Sequence, residues 1–260
     1  MHETVRPKEH VAPGTRLHSF IGWTGLFLLG PLVALVTILV TYGVALIFWI
    51  GAGLFYWSRV AQARARLRGS AVRVGEDQFP DIHAAAVDMS RRIGLPECPD
   101  VYVMEDSQQN AFALKQGRRQ TVVLIDDVVH GCLAAGGAGA LNFVLAHELA
   151  HHALGHTGML RAFIASKYPP LSRLDELSCD AVAHAVVGDP AAARDALALL
   201  LIGPQLFPEV NREALARQAR EVAADRHAKK SEKSLTHPLL LRRYARLDDL
   251  AGPAAGRLTA

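Results

Sequence analysis

The stretch LNFVLAHELAHHALGH, Leu141 to His156, places four histidines within its last ten residues. Leu, Ala, Glu and His dominate it and no Pro interrupts it, which predicts a helix up to Gly155. Residues four apart on a helix lie about 40° apart on one face. Two pairs have that spacing: His147 with His151, and His152 with His156. Their neighbours separate them. Glu148 follows His147, whereas Ala153 follows His152. The first pair therefore reads as HExxH, with two imidazole ligands for zinc and a carboxylate that acts as general base without binding the metal. The plainer alternative is a helix with polar residues on its wet face. Leu141, Val144, Leu145, Leu149 and Ala150 favour burial instead, where histidines need partners. His152 and His156 read as supporting or surface residues.

A catalytic zinc site needs a third protein ligand. The pattern HExxHxxGxxH would require glycine at position 154 and histidine at 157. The chain has Leu154 and Thr157, with Gly155 and His156 one place out of register, so that pattern is rejected. The stretch SRLDELSCDAVAHAV (Ser172 to Val186) predicts a second helix after the Tyr168–Pro170 break, with Ser172 as N-cap and Asp175 and Glu176 in the first turn. Glu176, Asp180 and His184 form an i, i+4, i+8 stripe, which is costly on an apolar helix unless it is paired. Glu176 is the expected third ligand. Asp180 is expected to accept a hydrogen bond from a ligand histidine. Asp175, about 100° off the stripe, is the rival ligand.

HELAH at 147–151 followed by SRLDELSCDA at 172–181 resembles the HtpX and CAAX prenyl protease family of membrane-associated gluzincins, whose third ligand lies in the pattern SRxxExxAD. FPDIHAAAVDMSRRIGLPECPDVYVME at 79–105 resembles the opening helix and strand of that domain. NAFAL at 110–114 resembles its NAFA strand, and THPLLLRRYARL at 236–247 its THPxxxxR element. The resemblance implies zinc, one per chain, on His147, His151 and Glu176, with Glu148 as base and Asp180 orienting a ligand. It also implies that His237 stabilises the oxyanion, with Arg243 as a supporting charge. Cys179 departs from the pattern, where alanine is frequent. A small buried residue is the expected reading, and metal binding or oxidation the alternative.

Half of the 260 residues are hydrophobic, which suits one ordinary domain plus an apolar segment. Positions 20–57 carry no charge. One straight helix of that length would reach roughly 57 Å against a hydrocarbon core of about 30 Å, so two spans with a turn near Thr37–Gly43 are expected. A single tilted helix kinked at Gly30-Pro31 is the alternative. Trp23, Trp49, Tyr56 and Trp57 suit the interfaces. The run is too long for a cleaved signal peptide. Arg59, Arg64, Arg66, Arg68 and Arg73 on one flank, with Arg6, Lys8 and Arg16 on the other, predict a cytosolic domain in the cytoplasmic membrane. Three cysteines without CxxC imply no disulfide framework. The basic run after the apolar segment reads as a lipid-facing anchor, and a net charge of +3 argues against a nucleic-acid partner.

The expected layout is a tail at 1–19, membrane segment at 20–58, basic linker at 59–75, peptidase domain at 76–250 and tail at 251–260. The domain is expected to be α+β and mainly helical, with a small sheet. Its first helix should run from Asp81 to Ile93 and stop at Gly94, followed by a strand at DVYVME. A hairpin should turn at Lys115–Arg119. Asn110–Leu114 is the candidate edge strand for an extended substrate, with Asn110, Ala111, Phe112 and Arg243 as binding residues. GCLAAGGAGALN lacks the spacing of a phosphate loop. AAARDALALLLIGPQLF is too short for a span and reads as a buried helix. A charged surface helix should then lead into a loose Lys/Ser-rich loop before Thr236 that gates the cleft. The implied activity is hydrolysis of polypeptides, including membrane or misfolded proteins. A sensor that cleaves itself once and a non-catalytic zinc scaffold are the rivals.

Overall fold

Helix-forming composition and a largely apolar surface put the HELAH stretch in the core, where two strands of a small sheet and several helices pack against it. The computed structural model describes residues 4–106, 111–116 and 119–251. The chain begins as a strap at 4–14, then helices α1 (Thr15–Thr24), α2 (Gly30–Val40) and α3 (Val44–Ser70). Strand β1 (Val72–Arg73) and helix α4 (Pro80–Ile93) follow, then β2 (Asp100–Met104), β3 (Ala111–Gln116) and β4 (Arg119–Ile125). The rest is helical: α5 (Asp126–Gly131), α6 (Gly137–Ala153), α7 (Met159–Lys167), α8 (Pro169–Val187), α9 (Pro190–Ile202), α10 (Arg212–Ala224), α11 (Arg226–Ser231) and α12 (Leu240–Ala251).

Helices α1 and α2 are joined by a π-helical turn at Gly25–Leu29, giving one continuous run. The cause lies just beyond it. Pro31 lacks an N–H and its ring would strike the carbonyl four residues back, and a widened turn absorbs both. Among the described residues, Thr15–Val40 is the one helical run long and apolar enough to cross a membrane, and Val44–Arg59 is a shorter apolar stretch. The chain reverses at Thr41–Gly43, inside the window expected for a hairpin turn, and Trp49 Nε1 donates to Thr37 Oγ1 across it.

The sheet has the order β1-β2-β4-β3, with β2 and β4 parallel and the two outer pairings antiparallel. β3 is its outer strand, paired in register from Ala111↔Leu124 to Gln116↔Arg119. β4 is buried from Thr121 to Ile125 and packs with α6 and α5. Ala140, Leu145, Ala146, Leu149 and Ala150 of α6 are fully or almost fully buried, as expected of a helix surrounded on all sides.

Several boundaries differ from expectation for identifiable reasons. α8 starts at Pro169, not at Ser172, because proline is well suited to the first turn, where its missing N–H costs nothing. The tail at 4–14 is a bound strap. Val5 N–H donates to Arg92 O and Ala12 N–H to Ser178 Oγ. Such long-range backbone contacts leave no periodic trace in sequence. The basic linker continues α3 as helix to Ser70, and β1 joins the sheet ahead of position 76. The expected loose loop before Thr236 is instead α11 and a 3-10 turn. Arg173 Nη1 donates to the carbonyls of Glu232 and Leu235, and the buried Glu232 accepts from Leu239 N–H and pairs with Arg242. A Lys/Ser-rich composition concealed the buried Glu232 that anchors this segment.

Candidate active site

Two helices supply the reactive side chains. α6 carries His147, Glu148 and His151, and α8 runs beside it with Glu176 and Asp180. His147, Glu148, Glu176 and Asp180 are buried, and His151 is partly exposed. His147 Nε2 lies 3.4 Å from Glu176 Oε2, and His151 Nε2 lies 3.4 Å from Glu176 Oε1. Ligand atoms about 2.0–2.1 Å from a tetrahedral zinc sit roughly 3.4 Å apart, so this donor set fits the ion in both type and spacing.

Charge tells the same story. Burial opposes a charge on His147, but the Asp180 and Glu176 carboxylates outweigh it and push the imidazole up to about 10. Burial would raise Glu176, yet hydrogen bonds from His147, His151 and His237 hold it well below the usual carboxylate range. This is an electronegative site that holds protons where a cation would otherwise sit. Burial raises Glu148, with His147 and His151 pulling the other way. A raised carboxyl beside a metal site suits proton transfer.

Each of these two histidines is braced through its other nitrogen. His147 Nδ1 donates to Asp180 Oδ1 at 2.9 Å. Asp180 in turn accepts from Arg243 Nε at 2.8 Å and Nη2 at 2.7 Å. Burial opposes ionisation of Asp180, but Arg243 and His147 bring it down to about 2. Arg243 lines the cavity, but its guanidinium is occupied by Asp180 and lies 3.4 Å from Glu176 Oε2.

His151 is braced differently, by His156, read from sequence as a supporting or surface residue, by Asp175, read as the rival ligand, and by Arg161, which carried no sequence signal. Its Nδ1 faces His156 Nδ1 at 3.3 Å, and His156 Nε2 faces Asp175 Oδ1 at 3.3 Å. Arg161 on α7 donates to Asp175 at 2.5 Å. Burial, then His151 and Arg161, lower His156 to about 2, so it is neutral and can accept from His151 while donating to Asp175. The turn after α6 creates this contact. Gly155 has φ +77°, Gly155 N–H bonds to His152 O, and His156 N–H bonds to His151 O, which is a Schellman motif. The signal in sequence was the glycine itself, which folds His156 back over His151 instead of continuing the helix. Asp175 therefore sits behind His156 and outside the cluster of His147, His151 and Glu176.

His152 is buried and satisfied, with Nδ1 3.0 Å from Thr157 Oγ1 and Nε2 3.1 Å from Thr121 O. His184 does not extend the acidic stripe. Eight residues at 100° each rotate it about 80° away from Glu176, and among the described residues its buried Nε2 has no partner. Cys179 is fully buried, 3.5 Å from His156 Nδ1, and burial with nearby carboxylates raises its thiol well above the ordinary value.

A cavity of about 400 Å³ opens on this cluster. Glu148, His147, His151 and Glu176 line it, with Ala111–Ala113 on one wall and His237 on another. His237 Nδ1 lies 3.2 Å from Glu176 Oε2, and that contact raises its pKa. Phe143, Val144, Leu200 and Leu240 make an apolar floor. Asn110 lies outside the described residues.

Comparison with known proteins agrees with this geometry. The profile described as Peptidase family M48 matches residues 76–166, which includes the HExxH helix and stops short of Glu176. The chain is 30% identical over 227 residues to a Protease HtpX homolog of Acidiphilium cryptum, covering 80% of this chain and 74% of that protein. It is 30% identical over 182 residues to a Protease HtpX homolog of Gemmatimonas aurantiaca, covering 70% and 62%. It is also 26% identical over 212 residues to the plastoglobule-localized metallopeptidase 48 of Arabidopsis thaliana, covering 70% and 60%. The chain thus spans about three-fifths of the length of the latter two. No solved structure matches. With a relative of this identity matched along most of both chains, the protein belongs to the HtpX-like metallopeptidases of peptidase family M48.

Proposed function

We propose that this chain is a zinc-dependent endopeptidase held at a membrane by its N-terminal apolar helices. The observation that carries the reading is the convergence of His147, His151 and Glu176 at zinc-ligand spacing, with Glu148 on the cavity side. Bound zinc would supply Lewis acidity, making a water nucleophilic at neutral pH and polarising the scissile carbonyl. Glu148 takes the proton from that water and passes it to the leaving amine. His237 stabilises the oxyanion of the tetrahedral intermediate, a role typically worth about 3 kcal/mol. Asp180 and Arg243 position His147 and Glu176. An extended substrate adds its backbone along the outer edge of β3 at Phe112 and Ala113, and the apolar floor takes one of its side chains. The open, lined cavity and the retained Glu148 favour catalysis over a closed structural site.

The basic residues at both ends of the apolar segment support a domain facing the cytosol. Polypeptides in or near that membrane, including misfolded ones, are the proposed substrates, a reading that rests on the HtpX resemblance. The decisive comparison is zinc content and casein cleavage for the wild type and Glu148→Gln. One zinc per chain in both proteins, with turnover in the wild type alone, is expected. Turnover by Glu148→Gln would sink the assignment of the base, and the absence of zinc would sink the ligand set. A single self-cut without turnover would point to a sensor.

A further inference from the structure

Helix α7 has two unlike faces. Ile164 is 4% exposed and packs inward, whereas Met159, Leu160 and Phe163 are 68%, 44% and 42% exposed. Three large apolar side chains on one helix face in water are costly, at about 25 cal/mol per Å² of uncovered area. The neighbour of α7 indicates what covers them. Gly22 of α1 lies so close to Ile164 that a Cβ there would overlap Ile164 Cγ2, and His18 Nδ1 is 2.6 Å from Tyr168 Oη at the junction of α7 and α8. Gly22 belongs to the apolar run Thr15–Val40. It lies about 9 Å further along that run than Arg16, which stands at the start of the run and is its last Lys, Arg, Asp or Glu. A helix lying in a bilayer interface sinks roughly 5–10 Å below the headgroup boundary. The exposed side chains of α1 at Leu17, Phe20 and Ile21 make the same region apolar.

We propose that α7 lies in the lipid interface, with Met159, Leu160 and Phe163 inserted beside α1. This rests on the reading that α1 and α2 enter a bilayer. The inner face of α7 carries Arg161, which holds Asp175, which faces His156 behind the ligand His151. The lipid contact therefore seats the helix that braces one zinc ligand, and it sets the cleft close to the membrane surface.

The test uses the full chain in phosphatidylcholine–phosphatidylglycerol vesicles carrying nitroxide-labelled lipids. Cys98→Ser removes the half-buried thiol, while Cys132 and Cys179 are buried. A fluorophore is then placed singly through Phe163→Cys, Leu35→Cys within the apolar run, or Glu213→Cys on the exposed side of α10. Strong lipid quenching at positions 35 and 163, several-fold above position 213, is expected, together with shielding of 163 from iodide. Quenching at 35 with position 163 as iodide-accessible as 213 would overturn the α7 proposal alone. Shielding of 163 without lipid quenching would assign that face to a second copy of the chain and overturn it equally. No quenching at 35 would remove the membrane reading itself.

Discussion

His147 and His151 sit one helical turn apart and present the same atom to the same site, yet they are held by opposite kinds of machinery. Behind His147 stand a full negative charge and a full positive one, Asp180 and Arg243, both buried and locked in a bidentate pair. Behind His151 stands a neutral imidazole, His156, with the charges one step further back at Asp175 and Arg161. The first support raises the basicity of its ligand strongly. The second fixes a tautomer with little added field. A site with one stiff and one softer ligand arm is the result.

The comparison breaks most visibly on the stiff side. Asp180→Ala should strip buried Arg243 of its bidentate partner and leave it Glu176 alone at 3.4 Å, which costs about 3 kcal/mol of stability. Denaturant unfolding would read this directly, and a loss below about 1 kcal/mol would show that Glu176 or water takes over the charge of Arg243. On the softer side, His156→Ala should lower zinc affinity by roughly 10–100-fold with a smaller stability loss, since Arg161 keeps Asp175. Chelator competition measures this, and unchanged affinity would mean that His156 does not orient His151.

Protons separate the two sides of α6 further. In metal-free protein His147 titrates near 10 when folded and near 6.5 unfolded, so its contribution is full below pH 6.5 and is lost as pH rises toward 10. His152 is lowered by burial to about 4, so the unfolded state binds the extra proton and stability falls as pH drops from 6.5 to 4. Chelated protein should therefore be most stable near pH 6.5, and urea midpoints that stay level from 6.5 to 10 would contradict the charge state of His147. The smallest effect is expected from Gly155→Ala. It forces a side chain into the left-handed region at a cost of about 1 kcal/mol and shifts His156 off His151. Matching loss of zinc affinity in Gly155→Ala and His156→Ala would tie the turn to the ligand.

The same contrast explains what could be read in advance. Short-range periodicity and turn residues were legible: His147 near His151, Glu176 one turn from Asp180, the α4 stop at Gly94, the β3–β4 hairpin and the buried α9. What escaped depended on non-periodic geometry. The Schellman turn decided between the two readings of His156, supporting or surface, in favour of support. The prolines at 169 and 170 opened a helix that they were expected to precede. Buried Glu232 turned a loose-looking segment into an anchored one. His184 fell off its stripe because 3.6 residues per turn accumulates a drift that eight residues expose.

The strap at 4–14 carries a consequence for the order of events during synthesis. Ala12 finds its partner at Ser178, 166 residues later in the chain. At about 5–20 residues per second the ribosome needs roughly 10–30 s to deliver that partner. Both apolar helices are complete long before α8 emerges, so they form while Ala12 N–H still waits for its partner. Glu176 and the strap's docking site at Ser178 then arrive together on one helix, so the His147–His151–Glu176 cluster and the second tether of the N-terminal segment close in the same late step.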